Sequence, residues 1–134
     1  MGFHDFYRMS SHAVICNASG QILLLKATYA EHAWGLPGGG IDMGETIHDA
    51  LFRECREELG CEVELDYLSG IYFHNAVTSH AFIFKCHLKA NAKIQLSDEH
   101  SEYCLFDVDE LCKVERIRVE DCLNFKGQVF SRAF

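Results

Sequence analysis

One proline, Pro37, and one tryptophan, Trp34, stand in a chain of 134 residues. Apolar stretches long enough to cross a bilayer as a helix, about 20 residues, are missing altogether, so no membrane association is expected. Basic residues are in deficit: 12 Lys and Arg against 20 Asp and Glu leave a formal charge of −8. A protein that grips a nucleic acid polymer needs a basic face, and this balance argues against one. A phosphate-bearing small molecule would be repelled too, unless a bound cation intervened. The eight histidines show no H-E-x-x-H spacing and the cysteines no C-x-x-C, which leaves a zinc site without support. The seven cysteines (16, 55, 61, 86, 104, 112 and 122) are odd in number, and several lie inside apolar runs such as Ala13-Val14-Ile15-Cys16. Buried, reduced thiols of a cytoplasmic protein are the expectation. The ends, Met1-Gly2-Phe3-His4-Asp5-Phe6 and Ser131-Arg132-Ala133-Phe134, match neither a myristoylation site nor a prenylation box. Repeats, low-complexity tracts and linkers are lacking as well, and residues 1–134 read as one domain around one core.

What is present falls into alternating elements. Residues 12–17 and 21–27 are apolar, with Asn17-Ala18-Ser19-Gly20 as a turn signal between them, and are expected to form a hairpin. Residues 33–44 hold Gly35, Pro37, Gly38, Gly39, Gly40 and Gly44 and are expected to be a loop. Thr46 followed by Asp49 is a capping box, and Gly60 sits where a helix ends, which brackets a helix over 46–59. Residues 63–74, 80–89 and 103–108 read as strands, and 118–130 as a last helix. Strands on both sides of a central helix predict an α/β fold with a mixed sheet packed by helices.

The central helix does not make sense as scaffold alone. At 100° per residue, with Ile47 at zero, Leu51, Cys55, Leu59 and Ala50 fall at about +40°, +80°, +120° and −60°. That arc should face the core, yet Glu54 and Glu58 fall inside it at about −20° and +20°. Glu57 borders them, whereas Asp49, Arg53 and Arg56 take the opposite, polar face. Glutamates normally form the solvated face of a helix, and here they point where leucines point. Glu57 and Glu58 also lie in the final turn, where the helix dipole disfavours negative charge by about 0.3–1 kcal/mol each. Three carboxylates within one turn repel one another besides. A divalent cation held between Glu54, Glu57 and Glu58 removes all three objections. All-oxygen ligation selects a hard ion, Mg²⁺, with Mn²⁺ as a substitute.

Such an ion neutralises phosphate charge, polarises phosphorus and generates a hydroxide-like nucleophile. The glycines just before the helix let backbone groups approach an anionic ligand closely. A tight turn would explain them equally well, so it is their combination with the helix and the inward carboxylates that is specific.

These residues carry a resemblance to a known family. Gly39-Gly40-Ile41-Asp42-Met43-Gly44-Glu45, running on to Arg53-Glu54-Cys55-Arg56-Glu57-Glu58-Leu59-Gly60-Cys61, resembles the Nudix box, G-x5-E-x7-R-E-U-x-E-E-x-G-U. The glycines, glutamates and arginine are all present at the required spacing. The bulky aliphatic U positions are Cys55 and Cys61, which are smaller but still apolar. The lead-in Trp34-Gly35-Leu36-Pro37-Gly38-Gly39 is also similar to the family's. The resemblance implies a Nudix-type α/β/α sandwich and a Mg²⁺-dependent hydrolase acting on phosphoric anhydrides. It further implies that Glu54, Glu57 and Glu58 bind the metal, that Glu57 also serves as base, and that the Gly38 carbonyl completes the coordination. Arg53, placed away from the metal face by the helical wheel, would pair with Glu45 and hold the loop to the helix. The catalytic set is thus Glu57, Glu54, Glu58, Arg53 and Glu45. An acidic residue from outside the box is expected from Glu99 or Glu102, with Glu102 preferred because it abuts the apolar run Tyr103-Cys104-Leu105-Phe106.

The substrate is less legible. The family's ADP-ribose subgroup carries a proline about sixteen residues past the box, and this chain has none after Pro37; the tyrosine of the dinucleoside polyphosphate subgroup is missing from Ala76-Val77-Thr78-Ser79-His80. By elimination the substrate is a nucleoside tri- or diphosphate derivative, with those two pyrophosphatase activities, or a non-catalytic nucleotide sensor, as the alternatives. Substrate contacts are expected from Gly38 and Gly39, from Tyr72, Phe73 or Phe82 stacking on a base, and from His74 and Asn75. A homodimer is left open.

Overall fold

The computed structural model describes residues 2–134. Eight strands and two helices follow one another as β1 (Arg8–Ile15), β2 (Ile22–Ala27), β3 (Trp34–Gly35), β4 (Gly38–Gly40), α1 (Ile47–Leu59), β5 (Val63–His74), β6 (Ser79–Leu88), β7 (His100–Phe106), α2 (Lys113–Leu123) and β8 (Phe130–Ala133). A five-stranded mixed sheet has the order β4-β1-β6-β5-β8, and a three-stranded antiparallel sheet the order β3-β2-β7. This is the α/β architecture expected.

Alternation along β1 explains the layering. Ala13 and Ile15 point to one side and join Leu51, Cys55 and Leu59 of α1 with Leu23, Leu25 and Phe84. Val14 points to the other side and joins Val119 and Cys122 of α2 with Ile22, Leu24, Tyr72 and Ile83. A strand covered on both faces must be apolar at successive positions, as Ala13, Val14 and Ile15 are. The α1 capping box forms as expected, with the Thr46 hydroxyl accepting from the Asp49 N–H at 3.0 Å, and Gly60 ends the helix in the left-handed region at φ 66°.

Three expectations need correction. The apolar runs around residue 17 are strands, but β1 and β2 belong to different sheets and meet only at the single bridge Cys16–Ile22. The turn is a corner between layers, not the tip of a hairpin ladder. The stretch 33–44 is not all loop, because Trp34–Gly35 pairs with β2 and Gly38–Gly40 pairs with β1. The last helix is Lys113–Leu123 and is followed by strand β8, so the window 118–130 spanned a helix end, a turn and a strand start. All seven cysteines are free; Cys55, Cys86 and Cys122 are buried, whereas Cys104 and Cys112 are exposed. No described helix is long and apolar enough to cross a membrane.

Leu51 is fully enclosed between α1 and the sheet. Leu51→Ala should therefore cost about 2–5 kcal/mol in urea unfolding; a loss below 1 kcal/mol would contradict the packing described.

Candidate active site

Gly38 to Glu45 wraps from β4 into α1, and that wrap brings the box residues together. Arg53 is the brace. Its guanidinium donates to Glu45 through Nε (2.6 Å) and Nη2 (2.9 Å), to the Gly40 carbonyl at 3.0 Å, to Glu54 at 2.9 Å and to Glu57 at 3.4 Å. The pairing with Glu45 is as expected. The placement away from the carboxylates is not, because the long side chain reaches back along the helix and its fork lies against two of them. Glu45 in turn accepts from the Asp42 N–H at 2.9 Å, which ties the loop to itself. These hydrogen bonds, Arg53 foremost, hold the Glu45 carboxyl below its ordinary range.

Glu58 is turned inward as the helical wheel requires and is 3% exposed. It accepts one hydrogen bond from the Gly38 N–H, at 2.8 Å. Burial pushes its pKa up to about 8, against the pull of that amide, and the nearby charges of Glu54 and Glu99 add to the rise. Burial also raises Glu54, opposed by Arg53. Gly39 lies directly on Glu54: a Cβ at that position would come within 2.8 Å of its carboxyl group. At Gly38, φ is 140° and a Cβ would run into the backbone of Ser11 and His12. Gly38 therefore permits the close approach of β4 to β1, and Gly39 the close approach of β4 to the Glu54 side chain of the helix.

Glu57 is the outlying member, with its side chain 59% exposed and facing Arg53. Among the described residues no three His, Cys, Asp or Glu side chains are gathered into a ready cation cage. Two neighbouring carboxyl groups, one buried and short of compensating donors, nevertheless fit a hard divalent cation, which would take the place of the proton that burial favours on Glu58. Glu57 reaches that pair only by turning from Arg53.

Of the two residues considered outside the box, the geometry favours Glu99. Its charge acts on Glu58, whereas Glu102 lies on the exposed part of β7 and pairs with Lys26 at 3.4 Å. Tyr72 must be withdrawn as a stacking surface: it is 0% exposed and its hydroxyl donates to Asp121 at 2.9 Å. Phe82 packs under α1 and Phe73 packs edge-on to Tyr7, so both are scaffold. His74 is occupied by Arg118, whose Nη1 donates to its Nε2 at 3.2 Å, and its ring stacks on Phe134. Asn75 lies in the turn after β5, where its N–H bonds to the Phe134 carbonyl. Sequence reasoning missed the residues that do border the carboxylates. Tyr29, His12, Trp34 and His100 line a cavity that Gly38 also lines. Tyr29 feels the charges of Glu58, Glu99 and Glu54, which together with burial raise its hydroxyl pKa. No local pattern joins these four, because they come from β1 (His12), the loop between β2 and β3 (Tyr29), β3 (Trp34, a residue of the lead-in to the box) and β7 (His100).

The profile of the NUDIX domain family matches residues 6–122. The chain belongs to the NUDIX domain family. The chain is 50% identical over 56 residues to an RNA pyrophosphohydrolase of Vibrio vulnificus, covering 42% of this chain and 32% of that protein. The chain thus spans about a third of the length of the curated relatives it matches. Among solved structures, an ADP-ribose pyrophosphatase from Streptococcus suis superposes with a TM-score of 0.78 at 22% identity, covering 96% of this chain and all of that one. That likeness is one of fold. A MutT Nudix hydrolase from Burkholderia pseudomallei gives a TM-score of 0.64 at 28% identity, covering 87% and 98%. The family identified from the box is confirmed, and so is the Nudix-type fold.

Two outcomes follow for this Nudix domain. Glu58 has its folded pKa raised, so the protein without metal binds an extra proton when folded. That contribution to stability is full below the unfolded carboxyl value and is lost as pH rises through about 8. Glu58→Gln keeps an oxygen for the Gly38 amide and removes the charge. In chelator it should melt several degrees above the parent at pH 9 and within a degree of it at pH 4, by calorimetry. Tyr72→Phe should lower unfolding stability by about 1–2 kcal/mol through the lost bond to Asp121 and leave substrate affinity untouched; a raised KM would return Tyr72 to the site.

Proposed function

We propose that this Nudix domain hydrolyses a diphosphate linkage in a nucleotide-like small molecule, with Mg²⁺ as cofactor and Mn²⁺ as substitute. The observation that carries the reading is the buried Glu58 carboxyl packed beside Glu54, within a loop-to-helix unit braced by Arg53. Such a pair is costly in a protein without metal and is satisfied by a divalent cation.

In this reading Glu54, Glu57, Glu58 and the Gly38 carbonyl would hold the metal. The bound ion supplies charge neutralisation for the phosphate chain and acidity for its water. Glu57, the member most open to solvent, takes the proton of the attacking water. The water oxygen bonds to phosphorus as the bridging P–O bond breaks, and the second phosphorylated product departs with that oxygen. Arg53 keeps loop and helix in register while its guanidinium offsets the charge of Glu54 and Glu57. Glu45 anchors Arg53 from the loop side. Glu99 adds a further carboxylate beside Glu58. Seven free cysteines support a reducing, cytoplasmic setting.

Substrate class is read as a nucleoside tri- or diphosphate derivative. The charge of −8 supports a small molecule over a polymer, although the relatives matched over 56 residues are RNA pyrophosphohydrolases. The deciding assay is chromatographic separation of the products formed with Mg²⁺ from nucleoside triphosphates, nucleotide sugars, ADP-ribose, dinucleoside polyphosphates and 5′-triphosphorylated RNA. Glu57→Gln and Glu58→Gln should each lower kcat at least a hundredfold with the fold retained. Activity within a few-fold of the parent in both variants would sink the assignment.

A further inference from the structure

Helix α1 does not cover the whole of the sheet face it packs on. Its first residue stands over Ser11, whose hydroxyl donates to the Ile47 carbonyl at 2.8 Å. Ala13 and Ile15 lie further under the helix, so Tyr7 and Met9, which share their face by alternation, lie beyond its start. The register sets Met9 opposite His80 and His80 opposite Phe73, and the Ile41 N–H bonds to the Met9 carbonyl at 3.0 Å. Ile41, Met9, His80 and Phe73 therefore form one row across the end of β4, β1, β6 and β5, outside the cover of α1. The Tyr7 ring lies against His80 at 5.2 Å and Phe73 at 6.1 Å between centroids.

This uncovered end is apolar and open. Tyr7, Met9, Ile41 and Met43 line a trough of about 510 Å³. Met43 is wholly exposed, Tyr7 and Met9 are about half exposed, and the segment just before them holds out Phe3 and Phe6, each 92% exposed. At about 200 Å² for a large side chain, Phe3, Phe6, Tyr7, Met9 and Met43 together present on the order of 700 Å² to solvent. The largest apolar patch of a monomeric protein is roughly 300–600 Å². Each partner in a standard interface gives up about 800 Å². The exposed area is thus that of one side of an ordinary interface. Its composition agrees, because aromatic residues and methionine are the types enriched at interface centres.

Charge selects the occupant. The chain carries −8, so two copies repel each other over most of their surfaces, and an anionic membrane repels each of them. Around the trough the signs are mixed. Arg8 is exposed and in no ion pair among the described residues, whereas the Asp42 side chain is 72% exposed despite Arg53 at 3.4 Å. A two-fold axis through such a patch turns each Arg8 toward the acids of the other copy. The contact is then isologous, each copy giving the residues it receives.

We propose that the chain forms a two-fold homodimer through this uncovered sheet face, with Phe3 and Phe6 of each copy seated against Tyr7, Met9, Ile41 and Met43 of the other. None of these side chains belongs to the carboxylate site, so the dimer stands apart from the hydrolase reading.

Sedimentation velocity of the full chain tests the contact. At about 50 µM the parent should sediment at twice the 15.2 kDa chain mass and should dissociate on dilution. Phe6→Asp and Met43→Asp each place a carboxylate at the centre of the contact and should each raise the dissociation constant at least about a hundredfold. Arg8→Glu, at the rim, should raise it about tenfold and remove most of its salt dependence. Both aspartate variants change side chains that the monomer leaves in solvent, so at monomeric concentrations they should melt within about three degrees of the parent. A parent that stays monomeric at the higher concentration overturns the dimer. So does one that instead floats with phosphatidylcholine vesicles, which would assign the face to a lipid surface. A dimer of unchanged strength in both Phe6→Asp and Met43→Asp overturns this face as its interface, and a mass that keeps growing with concentration overturns the two-fold arrangement.

Discussion

Glu58 is set where a carboxylate is least favoured: in the last turn of α1, 3% exposed, next to Glu54, with one backbone amide as its donor. Helix dipole, desolvation and like-charge repulsion all act against its ionised form there. The surrounding structure is arranged to hold that carboxyl in place. Gly38 lets strand β4 lie close against β1, and Gly39 lets it lie against the Glu54 carboxyl of the helix. Arg53 fastens the intervening loop to the helix through Glu45 and Gly40. Without that fastening the amide of Gly38 would have no reason to meet Glu58.

The strain at the helix end is supported by an ordinary core. Leu51, Cys55 and Leu59 sit on the same helix face as Glu58 and are wholly buried against β1, β2 and β6. Hydrophobic burial of about 1.5–3 kcal/mol per large side chain is enough to carry an unfavourable carboxyl with it. The helix therefore cannot rotate Glu58 into solvent without exposing its leucines. Packing and charge are coupled through one rigid element, which keeps the Glu58 carboxyl beside Glu54.

The carboxylates come from one contiguous segment, whereas the cavity beside them is assembled from β1, β2, the loop between β2 and β3, β3, Gly38 and the start of β7.

Helix α1, its caps, the inward carboxylates and the Arg53–Glu45 pair were legible in the sequence, because all of them depend on spacings within one helix and the loop before it. Periodicity also disclosed most of the strands, since burial on a pleated sheet repeats every two residues. It could not show that β1 and β2 part into separate sheets, because sheet membership depends on partners sixty to ninety residues away. For the same reason Tyr72 looked like a stacking ring until Asp121 was seen to hold its hydroxyl, and Glu102 looked nearer the site than Glu99 until Lys26 claimed it. Local spacing determined which residues can do chemistry; only long-range packing decided which aromatic and imidazole groups stand beside them, because side-chain surroundings are set by contacts that no local pattern records.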